Sequence, residues 1–337
     1  MSDPVIPPFE LDTVNLTSPK LGTVVIFATD EFFGSKERLI NDAEPIFIPD
    51  KYDNHGKWMD GWESRRRRDG GYDYCIISLN SGGTIVGVDI DTRHFTGNHP
   101  PHASLDGTYS ATIPNDQTVW TEIIKQTEVK PDSHNLIEVN SEIQFNYLRF
   151  NIFPDGGVAR LRVYGRPTAA WKQHNSSRTV ELSAITNGGY VVAYNDAHYG
   201  NPWVILTAGR GVDMGDGWET RRRRQPGNDW IIIALGARGT VESLEVDTAH
   251  FKGNYPDSCS VEATAIEIKE NNLVLSNNVE WTQLMDKQKL SMDHIHRFDK
   301  DKINPVGPVT HLRLSIYPDG GISRFRAFGR VDVLDLG

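Results

Sequence analysis

Alternation of apolar and polar residues is clearest between Tyr147 and Ile152. Leu148, Phe150 and Ile152 fall on one face and Tyr147, Arg149 and Asn151 on the other, the period-two pattern of a half-buried strand. A second alternating run sets Leu161 and Val163 inward against Arg160, Arg162 and Tyr164. Asp155-Gly156 between the two runs predicts a type I′ hairpin, because that turn needs positive φ at its central residues. The same pattern returns with Leu312, Leu314 and Ile316, then Asp319-Gly320, then Arg324 and Arg326 pointing outward. Mostly apolar runs at Asp73–Leu79 and Thr84–Ile90, interrupted by Asn80-Ser-Gly-Gly83, predict two more strands. Trp230–Leu235 and Thr240–Val246 answer them, and Thr23–Ala28 predicts a further strand. One short helix is expected over Ser35–Ala43, with Ser35 as its N-cap. The first dozen residues read as an arm lying on a neighbour, and Pro167–Gly188, containing His-Asn-Ser-Ser-Arg, reads as a connector.

These recurrences are parts of one duplication. Asp60–Pro100 aligns with Asp216–Pro256, and 22 of the 41 positions are identical, which chance does not produce. The flanking segments repeat as well, at offsets of 166 and 164 rather than 156, so loops of different length separate shared elements. Whole domains, not short solenoid units, are duplicated. Short strands, Gly-rich turns and few helices predict an all-β protein of two tandem duplicated jelly-roll β-sandwich domains, residues 1–170 and 171–337.

Composition narrows the function classes. A chain of 337 residues gives each half enough length for its own core. The formal net charge of −10 argues against nucleic acid as a partner, whatever the local arginine runs suggest. Two cysteines, Cys75 and Cys259, stand at non-equivalent places in the repeat and make no disulfide framework. No apolar run is long enough to span a membrane, and the start has neither a basic n-region nor an apolar h-region. A cytoplasmic protein with no membrane partner is expected.

Candidate chemistry sits in two repeated motifs. Asp-Gly-Trp-Glu leads into four arginines, Arg65–Arg68 and Arg221–Arg224. In an extended chain Glu63, Arg65 and Arg67 share one face, and two guanidinium groups there suit a small carboxylate. Ion pairing within the run is an equal alternative. The second motif, Asp91-Thr-Arg-His94-Phe-Thr-Gly-Asn98, returns as Asp247, His250 and Asn254. His94 moves protons near neutral pH, Asp91 orients it, and Asn98 offers a donor and an acceptor. The alternative is that Asp91 caps the turn while His94 and Phe95 pack beneath it. No HExxH, zinc-spaced Cys pair, P-loop or G-x-S-x-G occurs. No metal and no cofactor are therefore expected.

The duplicated DGWE(S/T)RRRR and DTxHFxGN motifs, with the FPDGG and YPDGG segments, resemble the allantoicase family over nearly the whole chain. The resemblance implies tandem jelly rolls, a homo-oligomer, and hydrolysis of allantoate to ureidoglycolate and urea in purine breakdown. That substrate needs a guanidinium for its carboxylate, an acid/base pair for departure of urea and attack of water, and amide-type partners for its ureido groups. Glu63, Asp91, His94, Glu219, Asp247 and His250 supply acid/base types; Arg65, Arg67, Asn98, Arg221, Arg223 and Asn254 supply binding types. Both halves carry the set, which allows two sites or one built between them. The competing reading is a non-catalytic tandem jelly roll that binds carbohydrate or a small anion, with Tyr199 or Trp203 offered to a sugar face.

Overall fold

A computed structural model describes residues 9, 13–139, 141–168, 178–266 and 279–332. The expected N-terminal arm, Phe9 apart, and residues 169–177 of the Pro167–Gly188 connector lie outside them. The chain forms two compact units, Met1–Arg166 and Pro167–Gly337, dividing a few residues before position 170.

The first unit contains β1 (Val14–Asn15), β2 (Val24–Ala28), β3 (Tyr52–Asp53), β4 (Gly56–Lys57), β5 (Trp62–Glu63) and β6 (Asp73–Asp91). It continues with β7 (His102–Thr108), β8 (Thr121–Glu128), β9 (His134–Glu138), β10 (Gln144–Phe153), β11 (Gly157–Val158) and β12 (Arg160–Pro167). The organising element is β6. The two strands expected on either side of Asn80–Gly83 are one strand of 19 residues. Its first half pairs with β2 and β10, and β7 and β8 extend that sheet. Its second half pairs with β9, while β12 and β1 complete the other sheet. The glycines therefore bend a strand from one sheet into the next rather than end it. Cys75, Ile77, Leu79 and Ile85 of β6 turn into the core with Leu148 and Phe150.

The second unit repeats this with β13 (Val180–Glu181), β14 (Tyr190–Tyr194), β15 (Trp218–Glu219), β16 (Asp229–Asp247) and β17 (Ser258–Thr264). After these come β18 (Thr282–Lys289), β19 (Ile295–Phe298), β20 (Val309–Tyr317), β21 (Gly321–Ile322) and β22 (Arg324–Val331). Both units are all-β jelly-roll sandwiches with the same strand order.

Three local expectations are corrected. Asp155-Gly156 does not close a hairpin: β10 pairs with β6 and β7, whereas β12 lies in the other sheet. The connection runs through a cis Phe153–Pro154 bond and Gly156 at φ 143°, a corner between sheets. The Ser35–Ala43 helix is one 3-10 turn, Lys36–Ile40, and the Ser35 side chain makes no cap bond. Only Leu39 and Ile40 bury there, too little apolar surface to hold a longer helix. Finally, Arg160 and Arg324 are buried rather than outward. Arg160 donates to the Asp60 carboxylate at 2.8 Å and to the carbonyls of Ala43 and Asp60 at 2.9 Å. Arg324 reaches the Asp216 carboxylate at 2.8 Å and its carbonyl at 2.7 Å. Alternation gave the right face, but a loop covers it.

Candidate active site

The repeated motifs meet at one end of the first unit. The Trp62 ring is fully buried, and its indole Nε1 donates to the Asp30 carbonyl at 2.8 Å. With Trp62 and Ser64 inside, the alternation of β5 turns Glu63 the other way. β5 pairs with β11, and the Ser64 amide donates to the Gly156 carbonyl at 3.1 Å. Asn98 closes the arrangement: its carbonyl accepts from the Gly157 amide at 2.7 Å, and its Nδ2 donates to Glu63 Oε1 at 2.7 Å. Gly157 must lack a side chain, because a Cβ there would stand 2.1 Å from the Phe95 ring. Phe95 is buried with Met59 and Ala159 under the loop.

Asp91 and His94 do not form the expected pair. Asp91 accepts from the Arg93 amide at 2.9 Å and holds the Arg93 guanidinium at 2.6 Å, with Arg162 at 3.5 Å. It caps the turn. Burial opposes its ionisation, but the Arg93 contacts prevail and keep its carboxyl below the usual range. His94 sits at φ 72°, with its amide on Asp132 Oδ1 at 2.7 Å. Its Nε2 lies 3.2 Å from the Pro45 carbonyl. A carbonyl only accepts, so Nε2 carries the proton and a neutral ring leaves Nδ1 as an acceptor.

Glu63 stands where two cavities adjoin. One, of 610 Å³, has Lys57, Glu63, His94, Asn98 and Asp132 among its walls. The other, of 470 Å³, shares Phe33, Glu63, Gly97 and Asn98 with it and adds Arg66 and His99. Burial lifts the Glu63 carboxyl above its ordinary range, and the Asn98 hydrogen bond only partly offsets this. Lys57 Nζ lies 4.6 Å from the Phe47 ring centre.

The arginines divide differently from their expected faces. Arg65 is engaged by Asp30 at 2.6 Å, and Arg67 by Asp69 at 2.8 Å and Asp73 at 2.7 Å. Arg66, among the described residues, has no ion-pair or hydrogen-bond partner and lines the cavity beside Glu63. Ligand-type geometry thus falls to Arg66, Lys57 and Asp132, which sequence reasoning missed. Comparing the copies for differences would have pointed to Lys57, which lies in the Gly34–Asp60 stretch that is longer than its counterpart Gly200–Asp216.

The second unit keeps the framework. Asn254 Nδ2 donates to Glu219, the Gly321 amide donates to the Asn254 carbonyl at 2.8 Å, and Trp218 Nε1 donates to the Asp196 carbonyl at 2.8 Å. His250 again has positive φ, with its amide on Asp293 at 2.8 Å and Nε2 2.7 Å from the Gly211 carbonyl. Arg221 is held by Asp196 at 2.7 Å and Arg223 by Asp229 at 2.5 Å. Asp247 lacks the close guanidinium: Ala249 replaces Arg93, Arg210 is 3.6 Å away, and burial raises its carboxyl. Trp203 is buried and offers no sugar platform, although Tyr199 is exposed. Among the described residues no group of three or more His, Cys, Asp or Glu could hold a metal ion.

The allantoicase repeat model matches residues 14–168 and again residues 180–332. The chain belongs to the allantoicase family. A probable allantoicase of Photobacterium profundum is 52% identical over 317 residues, covering 94% of this chain and 96% of its own. Probable allantoicase 1 of Burkholderia mallei is 49% identical over 333 residues, covering 98% of each. The crystal structure of the Saccharomyces cerevisiae allantoicase superposes with a TM-score of 0.78 at 34% identity, covering 94% of this chain and 93% of that one. In this chain each allantoicase repeat holds one Glu–Asn pair in the same backbone frame.

Proposed function

We propose that the chain hydrolyses allantoate to ureidoglycolate and urea, and that the first unit carries the reaction. The observation that supports this most is Glu63, a half-buried carboxyl with a raised pKa at the junction of two cavities, held by Asn98. Burial that favours the protonated form suits a carboxyl to act as a general acid. Glu63 gives its proton to the departing ureido nitrogen as the C–N bond breaks, and urea leaves. The lone pair of the remaining ureido nitrogen supports the imine-like carbon. Glu63, now ionised, takes a proton from water as that water adds, which forms ureidoglycolate and restores the acid.

Arg66 offers a planar fork to the substrate carboxylate, and Lys57 adds a second positive charge in a chain of net charge −10. Asn98 fixes Glu63, and the neutral form of His94 presents Nδ1 to a ureido N–H. Among its described residues the second unit has no strand pair equivalent to β3–β4, and so has no counterpart of Lys57 held in the same way. A homo-oligomer acting in the cytoplasm belongs to the same reading. Exposed Ile46, Phe47 and Tyr52 support self-association, and two free, buried cysteines suit a reducing compartment. Measuring urea release from allantoate by the purified chain tests the function: no release across pH 5–9 would reject it.

A further inference from the structure

Arg66 lines one cavity with Glu63, but the arginine run also lines another. A separate cavity of 540 Å³ is walled by Arg65–Arg68 and by Asp30, Asp69 and Asp73. All three carboxylates are engaged there, Asp30 by Arg65 and the other two by Arg67. The Arg67 contacts draw the Asp69 carboxyl down to about 2. Arg66 and Arg68 remain, both exposed and, among the described residues, without partners. Both line this cavity, two positions apart in the chain.

We propose that this outer cavity is an inhibitory site for a small tetrahedral oxyanion of the inorganic phosphate type. The anion is held between Arg66 and Arg68 and competes with the substrate carboxylate for Arg66. The competition rests on the reading that Arg66 serves the cavity beside Glu63. A guanidinium grips phosphate oxygens through paired N–H donors, and one side chain cannot hold an anion in both cavities at once. A small anion fits better than a polyanion. The chain's net charge of −10 repels a long one, and three carboxylates rim the walls. The second unit divides its run in the same way, with Arg222 and Arg224 unpartnered among the described residues, although Gln225 replaces Asp69. Arg224 therefore provides a control in the second unit.

Two measurements decide the matter, with ionic strength held constant by chloride. In the wild-type chain, phosphate is expected to raise KM for allantoate and leave kcat unchanged. Arg68→Gln, with its phosphate-free rate unaltered, should need about tenfold more phosphate for the same effect, whereas Arg224→Gln should respond like wild type. An unchanged wild-type KM, or Arg68→Gln inhibited as strongly as wild type, overturns the proposed competition. Calorimetric titration with phosphate reads the site without turnover. Saturable binding that Arg68→Gln weakens supports the site even if allantoate proves not to be the substrate. Binding that this variant leaves untouched overturns it.

Discussion

Two opposed influences act on Glu63: burial favours its protonated form, and the Asn98 amide favours the carboxylate. Burial wins, so the folded protein holds this proton more tightly than the unfolded chain does. The ionised carboxylate then lowers stability above the ordinary carboxyl range, and the penalty disappears below it. Glu63→Gln is accordingly expected to reduce kcat by about 10²–10⁴-fold while the melting temperature at pH 7 holds or rises. Repeating the melts toward pH 4 should show any gain shrinking; a fall in melting temperature at pH 7 would assign Glu63 to structure instead. Arg66 and Arg65 separate in another way. Arg66→Ala should raise KM about tenfold or more through loss of a charge-assisted contact, with the melt unchanged. Arg65→Ala, which removes an exposed guanidinium from Asp30, should leave KM near wild type and cost at most about 1 kcal/mol of stability. Sequence alternation placed Arg65 and Arg67 on Glu63's face correctly for an isolated strand. It had no access to Asp30, whose carboxylate arrives from 35 residues away.

The turn after β6 and its counterpart after β16 show one motif given two electrostatic settings. Asp91 is compensated by Arg93 and Arg162 and its carboxyl is lowered; Asp247, beside Ala249, is raised. A lowered pKa contributes stability that is present at neutral pH and lost as pH falls through the folded value, and a raised one does the reverse. Asp91→Asn should therefore destabilise the chain at pH 7, by about 3 kcal/mol if the loss resembles a broken buried pair. Asp247→Asn should be neutral or mildly stabilising at that pH, since an amide oxygen still accepts from the Ala249 amide. Denaturant melts of the two variants check the opposite signs, and equal losses would refute the distinction. The element scale also holds the sharpest misreading of sequence. Asp155-Gly156 carries the residues of a hairpin and makes a corner, because pairing partners are chosen by the whole sandwich and not by the turn.

For the whole molecule, duplication raises the question of how many copies work. The β3–β4 pair that carries Lys57 occurs, among the described residues, in the first unit alone, and this predicts one productive site per chain. Glu63→Gln should cost turnover by the factor given above, and Glu219→Gln should retain most of it; equal loss from both would mean that the units act alike. The sequence alone determined the tandem all-β architecture and the segments that carry chemistry. Period-two burial and Gly-rich turns are local properties, and a duplicated text exposes them twice. It also named Glu63 and Asn98 without their mutual contact. Only tertiary structure decided which arginines are engaged, that Asp91 caps a turn rather than serving His94, and that Arg160 lies buried on Asp60. Each of those outcomes depends on a partner brought from a distant loop, and side-chain type and spacing fix what a group is able to do but not which charge it meets.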